Sequence, residues 1–190
     1  MTRPLRIFSA PTTVCLVLTD LCNMRCRHCL NYWRHAGDHR RTLTPEQVDR
    51  LAEIFAAAGV FHVTLSGGEP LCRADILEHA VKRFREAGIT LGCNSNLALA
   101  RRDRLERLRE AGLDHFLTSL NSCDPETNDR LVGLPGAFAR VVRGIGEAIE
   151  AGFRVSANMV VTRANRDQVA GTGRLAADLG CQRFFGTRAV

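Results

Sequence analysis

Apolar residues along this chain recur in two alternating rhythms. Short runs such as Thr13-Val14-Cys15-Leu16-Val17-Leu18 have too few polar breaks for an amphipathic helix and suit a buried strand. Longer segments between them space apolar residues by three and four, the period of a helix with one covered face. The rhythms exchange about six times, which predicts repeated βα units and a parallel sheet. Strands are expected near residues 13–19, 60–65, 89–93, 115–120, 153–161 and 182–187, with helices near 45–58, 73–87, 100–111, 137–151 and 166–179. The first helix has a defined start: Thr44 as N-cap, Pro45 at the first helical position and Gln47 completing a capping box. Gly59, Gly88, Gly112, Gly152 and Gly180 each follow a helical segment, as C-terminal caps do. The glycine period is therefore punctuation and no nucleotide fingerprint. Parallel βα units gather ligands at the carboxyl ends of their strands, so side chains just beyond each strand are the candidates for chemistry.

Composition narrows the picture without redirecting it. At 190 residues the chain fits one domain with a sizeable core, residues 1–190. The segment Met1-Thr2-Arg3-Pro4-Leu5-Arg6 is followed by no apolar stretch of signal-peptide length, and no run approaches the roughly 20 residues of a membrane span. A cytoplasmic location and no membrane partner are the expectation. The net charge of +6 is carried by arginine, Lys82 being the only lysine. Arg101, Arg102, Arg104, Arg107 and Arg109 alternate with Asp103, Glu106 and Glu110, which describes a solvated helix face. Without a basic block interleaved with aromatics, nucleic acid is not an expected partner. Cys15, Cys93 and Cys181 lie in apolar or strand-like stretches, which favours buried thiols over a disulfide framework.

The concentrated chemistry follows the first strand. Cys22-Asn23-Met24-Arg25-Cys26-Arg27-His28-Cys29 separates three cysteines by three and then two residues, so three thiolates can converge on a compact metal site. Structural zinc takes four closed ligands, whereas a four-iron, four-sulfur cube on three cysteines keeps one iron open. A Cys-Cys-His-Cys zinc site is the competing reading, hampered because adjacent His28 and Cys29 are poorly placed to share one ion. At the second strand end Gly67 and Gly68 admit close backbone approach, Glu69 adds a carboxylate and Pro70 stiffens the exit. Asn94, Ser95 and Asn96 offer polar groups at the third strand end, as do Ser119 and Asn121 at the fourth. Asn158 and Val160 share one face of the fifth strand, core packing being an equally good account of Val160. Asn165 is as readily a helix cap as a site residue. Cys72, Cys93 and Cys123 are each isolated.

The cysteine loop followed by Ser66-Gly67-Gly68-Glu69-Pro70, Asn94-Ser95-Asn96, Ser119-Leu120-Asn121 and Val160-Val161-Thr162-Arg163-Ala164-Asn165 resembles the radical S-adenosylmethionine (radical SAM) superfamily, in the order that family places them. The stretch from Ser119 to Gly133, with Asp124-Pro125-Glu126, looks like the branch of peptide-modifying maturases and cofactor-biosynthesis enzymes. The resemblance implies a partial (β/α)6 barrel of parallel strands, with Cys22, Cys26 and Cys29 holding a 4Fe-4S cluster whose open iron binds S-adenosylmethionine. Reductive cleavage of that cofactor would give a 5′-deoxyadenosyl radical that abstracts hydrogen from a peptide or small-molecule substrate. An external donor such as flavodoxin or ferredoxin would supply the electron.

By the same resemblance His28 lies near the adenine, Gly67, Gly68 and Glu69 meet the methionyl part, and Asn94, Ser95, Asn96, Ser119 and Asn121 approach its carboxylate and the ribose. Val160 would touch the adenine. The chain departs from the commonest pattern, with Asn121 in place of an aspartate and Arg130 in place of an arginine near Val132; a surface salt bridge is the simpler role for Arg130. Many relatives continue into a domain bearing further clusters. This chain is expected to be a minimal core or a piece of a longer protein continuing past Val190, its open barrel side covered by a C-terminal domain or partner. The alternative is a noncatalytic iron–sulfur or AdoMet-binding module of the same fold.

Overall fold

A computed structural model describes residues 10–29 and 41–189. The amino-terminal segment Met1 to Arg6 and the terminal Val190, on which the readings of a leader and of continuation rest, lie outside the described residues.

The six strands form where the apolar runs predict them: β1 (Thr13–Thr19), β2 (His62–Gly67), β3 (Thr90–Asn94), β4 (His115–Ser119), β5 (Arg154–Val161) and β6 (Arg183–Arg188). They pair in chain order as one parallel sheet, the partial barrel of an α/β protein. Helices α1 (Pro45–Ala57), α2 (Ala74–Glu86), α3 (Arg102–Glu110), α4 (Pro125–Val132), α5 (Ala137–Glu150) and α6 (Val169–Asp178) connect them. Helix α4 is an addition to the expected set. It has only two turns, too short for a helical period to stand out, although Asp124, Pro125 and Gly133 are its N-cap, first residue and left-handed C-cap.

The capping box is present: Thr44 Oγ1 accepts from the Gln47 amide, and Gln47 Oε1 accepts from the Thr44 amide at 2.9 Å. All five anticipated cap glycines take positive φ.

The alternation of each strand divides the sheet into two faces. One face, with Val63, Leu65, Leu91, Phe116, Val155, Ala157 and Met159, packs under the helices, where Leu77, Phe84, Leu105 and Ile145 are fully buried. Each such side chain contributes about 1.5–3 kcal/mol by leaving water. The opposite face carries His62, Thr64 and Ser66 on β2, His115, Leu117 and Ser119 on β4, and Ser156, Asn158 and Val160 on β5. This second face is mostly polar. The sheet buries one side against the helices and leaves the other mostly polar, and among the described residues there is no disulfide.

Candidate active site

The cysteine loop is held from three directions. Beyond β1 its backbone crosses directly over the glycine pair: the Gly68 amide donates to Thr19 O and the Glu69 amide to Leu21 O, both at 2.7 Å. A Cβ on Gly67 would lie 2.4 Å from Thr19 O, and one on Gly68 2.3 Å from Leu21 O. Glycine is therefore demanded here by the close approach of this motif to the loop's own entry. Side chains give the second attachment, Asn96 Nδ2 donating to Asn23 Oδ1 at 2.9 Å. The third is α4: the Arg25 and Arg27 amides donate to Val132 O and Leu131 O at 2.9 and 3.0 Å. A Cβ on Gly133 would meet Arg25 O at 2.7 Å, so the helix missed by pattern reading is what seats the cysteines.

Glu69 is no open surface charge. It is 1% exposed; Oε1 accepts from the Leu71 amide at 3.0 Å and Ser95 Oγ at 2.7 Å, and Oε2 accepts from the Asn96 amide at 2.7 Å. The carboxylate therefore ties the end of β2 to the end of β3. Burial pushes its pKa up, and the three donors pull it back.

Cys22, Cys26, Cys29 and His28 border one cavity of about 300 Å³ with Gly67, Gly68, Glu69, Asn94, Ser95, Asn96, Ser119 and Val160. Ser66, Leu117, Val132, Val141 and Asn158 complete much of its wall. Met24, Leu117, Val132 and Val141 have no local polar or spacing signal; their place depends on which elements pack together.

Asn121 falls elsewhere. It is fully buried, its Oδ1 accepts from the Val160 amide at 3.0 Å, and its carbonyl accepts from Asn165 Nδ2 at 2.7 Å. Asn121 thus ties β4 to β5 outside the lining of the cavity, and its buried Nδ2 has no partner within the fold. Asn165 stands at the N-cap position of a short 3₁₀ turn, Arg166–Gln168, but its side chain makes no capping bond: its Oδ1 accepts from the Thr162 amide at 2.7 Å, and its Nδ2 also donates to Val160 O at 2.9 Å. Arg130 lies on α4 beside Thr127 and Glu126, 3.2 and 3.8 Å away, outside the cavity.

Three cysteines on one loop are the donor set that a cubane takes, one thiolate to each of three irons. Among the described residues no three His, Cys, Asp or Glu side chains gather around one point. His28 borders the cavity, burial lowers its pKa, and its buried Nδ1 has no partner within the fold. A neutral imidazole with a spare polar atom fits a ligand-binding wall. Cys72 and Cys93 differ from the loop cysteines: burial pushes Cys72 up to about 11, Glu69 and Cys22 adding to the effect, and lifts Cys93 well above the ordinary thiol range.

A parallel half-barrel with three loop cysteines and the strand-end motifs around one cavity defines a class of cofactor-binding α/β protein. The radical SAM superfamily model matches residues 16–176, and the chain belongs to that superfamily. It is 33% identical over 188 residues to GTP 3′,8-cyclase of Aquifex aeolicus, covering 97% of this chain and 57% of that protein. It is 35% identical over 176 residues to PqqA peptide cyclase of Ruegeria pomeroyi, covering 92% and 46%. The chain thus spans about half the length of the curated relatives it matches. Streptococcus suis SuiB bound to S-adenosylmethionine shares the fold at a TM-score of 0.81 and 20% identity, over 96% of this chain and 41% of SuiB. Among the described residues no helix is long and apolar enough to cross a membrane.

Proposed function

We propose that this chain is the radical-generating core of a radical SAM enzyme, with Cys22, Cys26 and Cys29 holding a 4Fe-4S cluster and the adjoining cavity receiving S-adenosylmethionine. The observation that supports this most directly is the shared cavity of the three cysteines and the polar ends of β2, β3, β4 and β5. When bound, the cluster and S-adenosylmethionine supply a 5′-deoxyadenosyl radical that takes hydrogen from substrate.

The chain's own part is placement. Glu69 Oε2 accepts one hydrogen bond from protein and keeps capacity for an ammonium donor, while Ser95 and Asn96 hold the carboxylate still. Asn94, Ser119 and Asn158 offer polar groups, and Val160, Leu117 and Val132 an apolar wall for an adenine. The glycine pair and α4 fix the loop from opposite sides, which limits how far the cysteines can move.

A peptide substrate is supported by the PqqA peptide cyclase relative and by the SuiB structure with its precursor peptide. A small molecule is the second reading, favoured by the GTP 3′,8-cyclase relative. Flavodoxin or ferredoxin in a reducing cytoplasm would serve as electron donor, and residues 1–190 would act as one core domain within a longer assembly. The test is anaerobic reconstitution followed by a dithionite-driven assay for 5′-deoxyadenosine. About four irons per chain and product formation are expected; one zinc per chain and no 5′-deoxyadenosine would overturn the proposal in favour of a noncatalytic module.

A further inference from the structure

The polar face of the sheet has a second concentration of chemistry, at the amino-terminal ends of the strands. Pairing sets Gly92 of β3 beside His115 of β4, His115 beside Arg154 of β5, and Ser156 of β5 beside Arg183 of β6. His62 of β2 completes the row. The two imidazoles flank the bare backbone of Gly92: a Cβ there would lie 3.7 Å from both His115 Nδ1 and His62 Nε2. Each ring is oriented by its other nitrogen. His115 Nε2 is 3.0 Å from Ser156 Oγ, and His62 Nδ1 is 2.9 Å from Thr90 Oγ1. Because the single Thr90 hydroxyl proton goes to Phe61 O at 2.8 Å, Thr90 accepts from His62, and the proton of a neutral His62 sits on Nδ1. Thr64 Oγ1 is 3.4 Å from His62 Nε2, which donates to an anion over Gly92 only once the ring is protonated, whereas His115 Nδ1 donates already when Nε2 accepts from Ser156 Oγ.

Positive charge accumulates here without compensation. Arg154 and Arg183 are exposed and have no carboxylate partner among the described residues, unlike Arg83 of α2 and Arg102 and Arg107 of α3. Burial, Arg154, Arg183 and His62, in that order, depress the pKa of His115. Ser119 at the cavity lies four steps along β4 from His115, about 13 Å at a strand's rise.

We infer that His62, His115, Arg154 and Arg183, over the floor made by Gly92, form a binding subsite for an anionic group of the substrate, a phosphate or a carboxylate, held about 13 Å from the cofactor-facing strand ends. The subsite selects substrates with an anionic end distant from the reacting carbon. It rests on the proposed function only in treating that anion as part of the substrate.

The test is a pH titration of the histidine imidazole resonances of the full, anaerobically reconstituted chain at low ionic strength, with inorganic phosphate and, separately, acetate. Either anion is expected to saturate and raise the His115 pKa; the tighter of the two identifies the chemistry. Gly92→Ala places its methyl at ordinary contact distance and fills the gap without a clash. It and the Arg154→Gln/Arg183→Gln double variant are expected to weaken binding roughly tenfold or more, with iron content and S-adenosylmethionine affinity unchanged. If neither anion moves the resonances, or the double variant binds as tightly as the parent, the subsite does not exist. Iron content and 5′-deoxyadenosine from the same samples keep the proposals separate: protein that cleaves the cofactor but ignores both anions overturns only the subsite, and protein that binds phosphate without iron overturns only the radical chemistry.

Discussion

Replacing Gly144 and, separately, Gly146 with alanine should change stability in opposite directions although the two lie two residues apart in α5. Both substitutions remove glycine's excess backbone freedom from a helix interior, which by itself stabilises by about 0.8–1 kcal/mol. A Cβ on Gly146 meets nothing within 4 Å, so that gain should appear in full, as a rise in Tm of about 2–4 °C for a chain of this size. A Cβ on Gly144 would lie 2.0 Å from Leu97 O and 3.2 Å from the Ala100 Cβ. The oxygen belongs to the backbone of a turn in which Leu97, fully buried, is held at a φ of 56°. Neither a side-chain rotation nor a small shift relieves the overlap. Overpacking of this kind costs about 1–3 kcal/mol, here toward the upper end, leaving a net loss of about 2 kcal/mol and a fall in Tm of about 4–8 °C.

The same turn carries Ser95, whose Oγ accepts from the Leu97 amide at 3.0 Å and donates to Glu69. Gly144→Ala should therefore weaken S-adenosylmethionine binding to the reconstituted protein as well, and Gly146→Ala should not. Thermal unfolding by circular dichroism, with calorimetric titration of the cofactor, reads both effects. A Tm that rises equally in the two variants would refute the reasoning, because Gly144 would then have room for a methyl beside the Leu97 turn.

Other outcomes follow from the site. Cys26→Ala should abolish cluster assembly, read as loss of iron and of the broad iron–sulfur absorbance after reconstitution; retained iron would remove Cys26 from the ligand set. Glu69→Gln sets an amide against an acceptor-only site with three donors, so it should lower stability by about 1–3 kcal/mol and weaken cofactor binding while iron content persists; unchanged denaturant midpoints would contradict the buried tie. Asn165→Ala leaves the Thr162 amide and the Asn121 and Val160 carbonyls without that partner and should cost about 2–3 kcal/mol in urea unfolding. His115 has a folded pKa below its ordinary value of 6.5, so the unfolded chain binds more protons in that range and stability falls as pH drops through 6.5 toward the folded value. His115→Gln should reduce the difference between urea midpoints at pH 7.5 and 5.5; an unchanged difference would place the pH dependence elsewhere.

Much of the architecture was legible in the linear pattern because its causes are local. A buried strand must be apolar, a helix with one covered face must repeat near every third or fourth residue, and chain reversals after helices need glycine. These constraints act within a few residues, so six strands, five helices and the capping box at Thr44 follow from reading neighbours. The three-then-two cysteine spacing is equally local. So is the rule that ligand-facing groups collect beyond strand ends, which brought the motifs to one cavity. Helix α4 marks the limit: its caps are written in Asp124, Pro125 and Gly133, but two turns carry too little period to be separated from a loop.

Tertiary structure decided what each polar group faces. Asn121 and Asn165 read alike as ligand contacts or a cap, and only the meeting of β4 with β5 turns them into a buried tie. Glu69 looks like an exposed charge until Ser95 and Asn96, 26 and 27 residues away, close over it. Gly67 and Gly68 also stand directly under the first loop, a close approach that no local signal gives. The His62, His115, Arg154 and Arg183 row has no sequence signature, since its members lie on four strands and meet only through parallel register. Hydrogen bonds and charges act over a few ångströms in space, so partners distant in the chain are set by packing, whereas the elements that pack are set by their own residues.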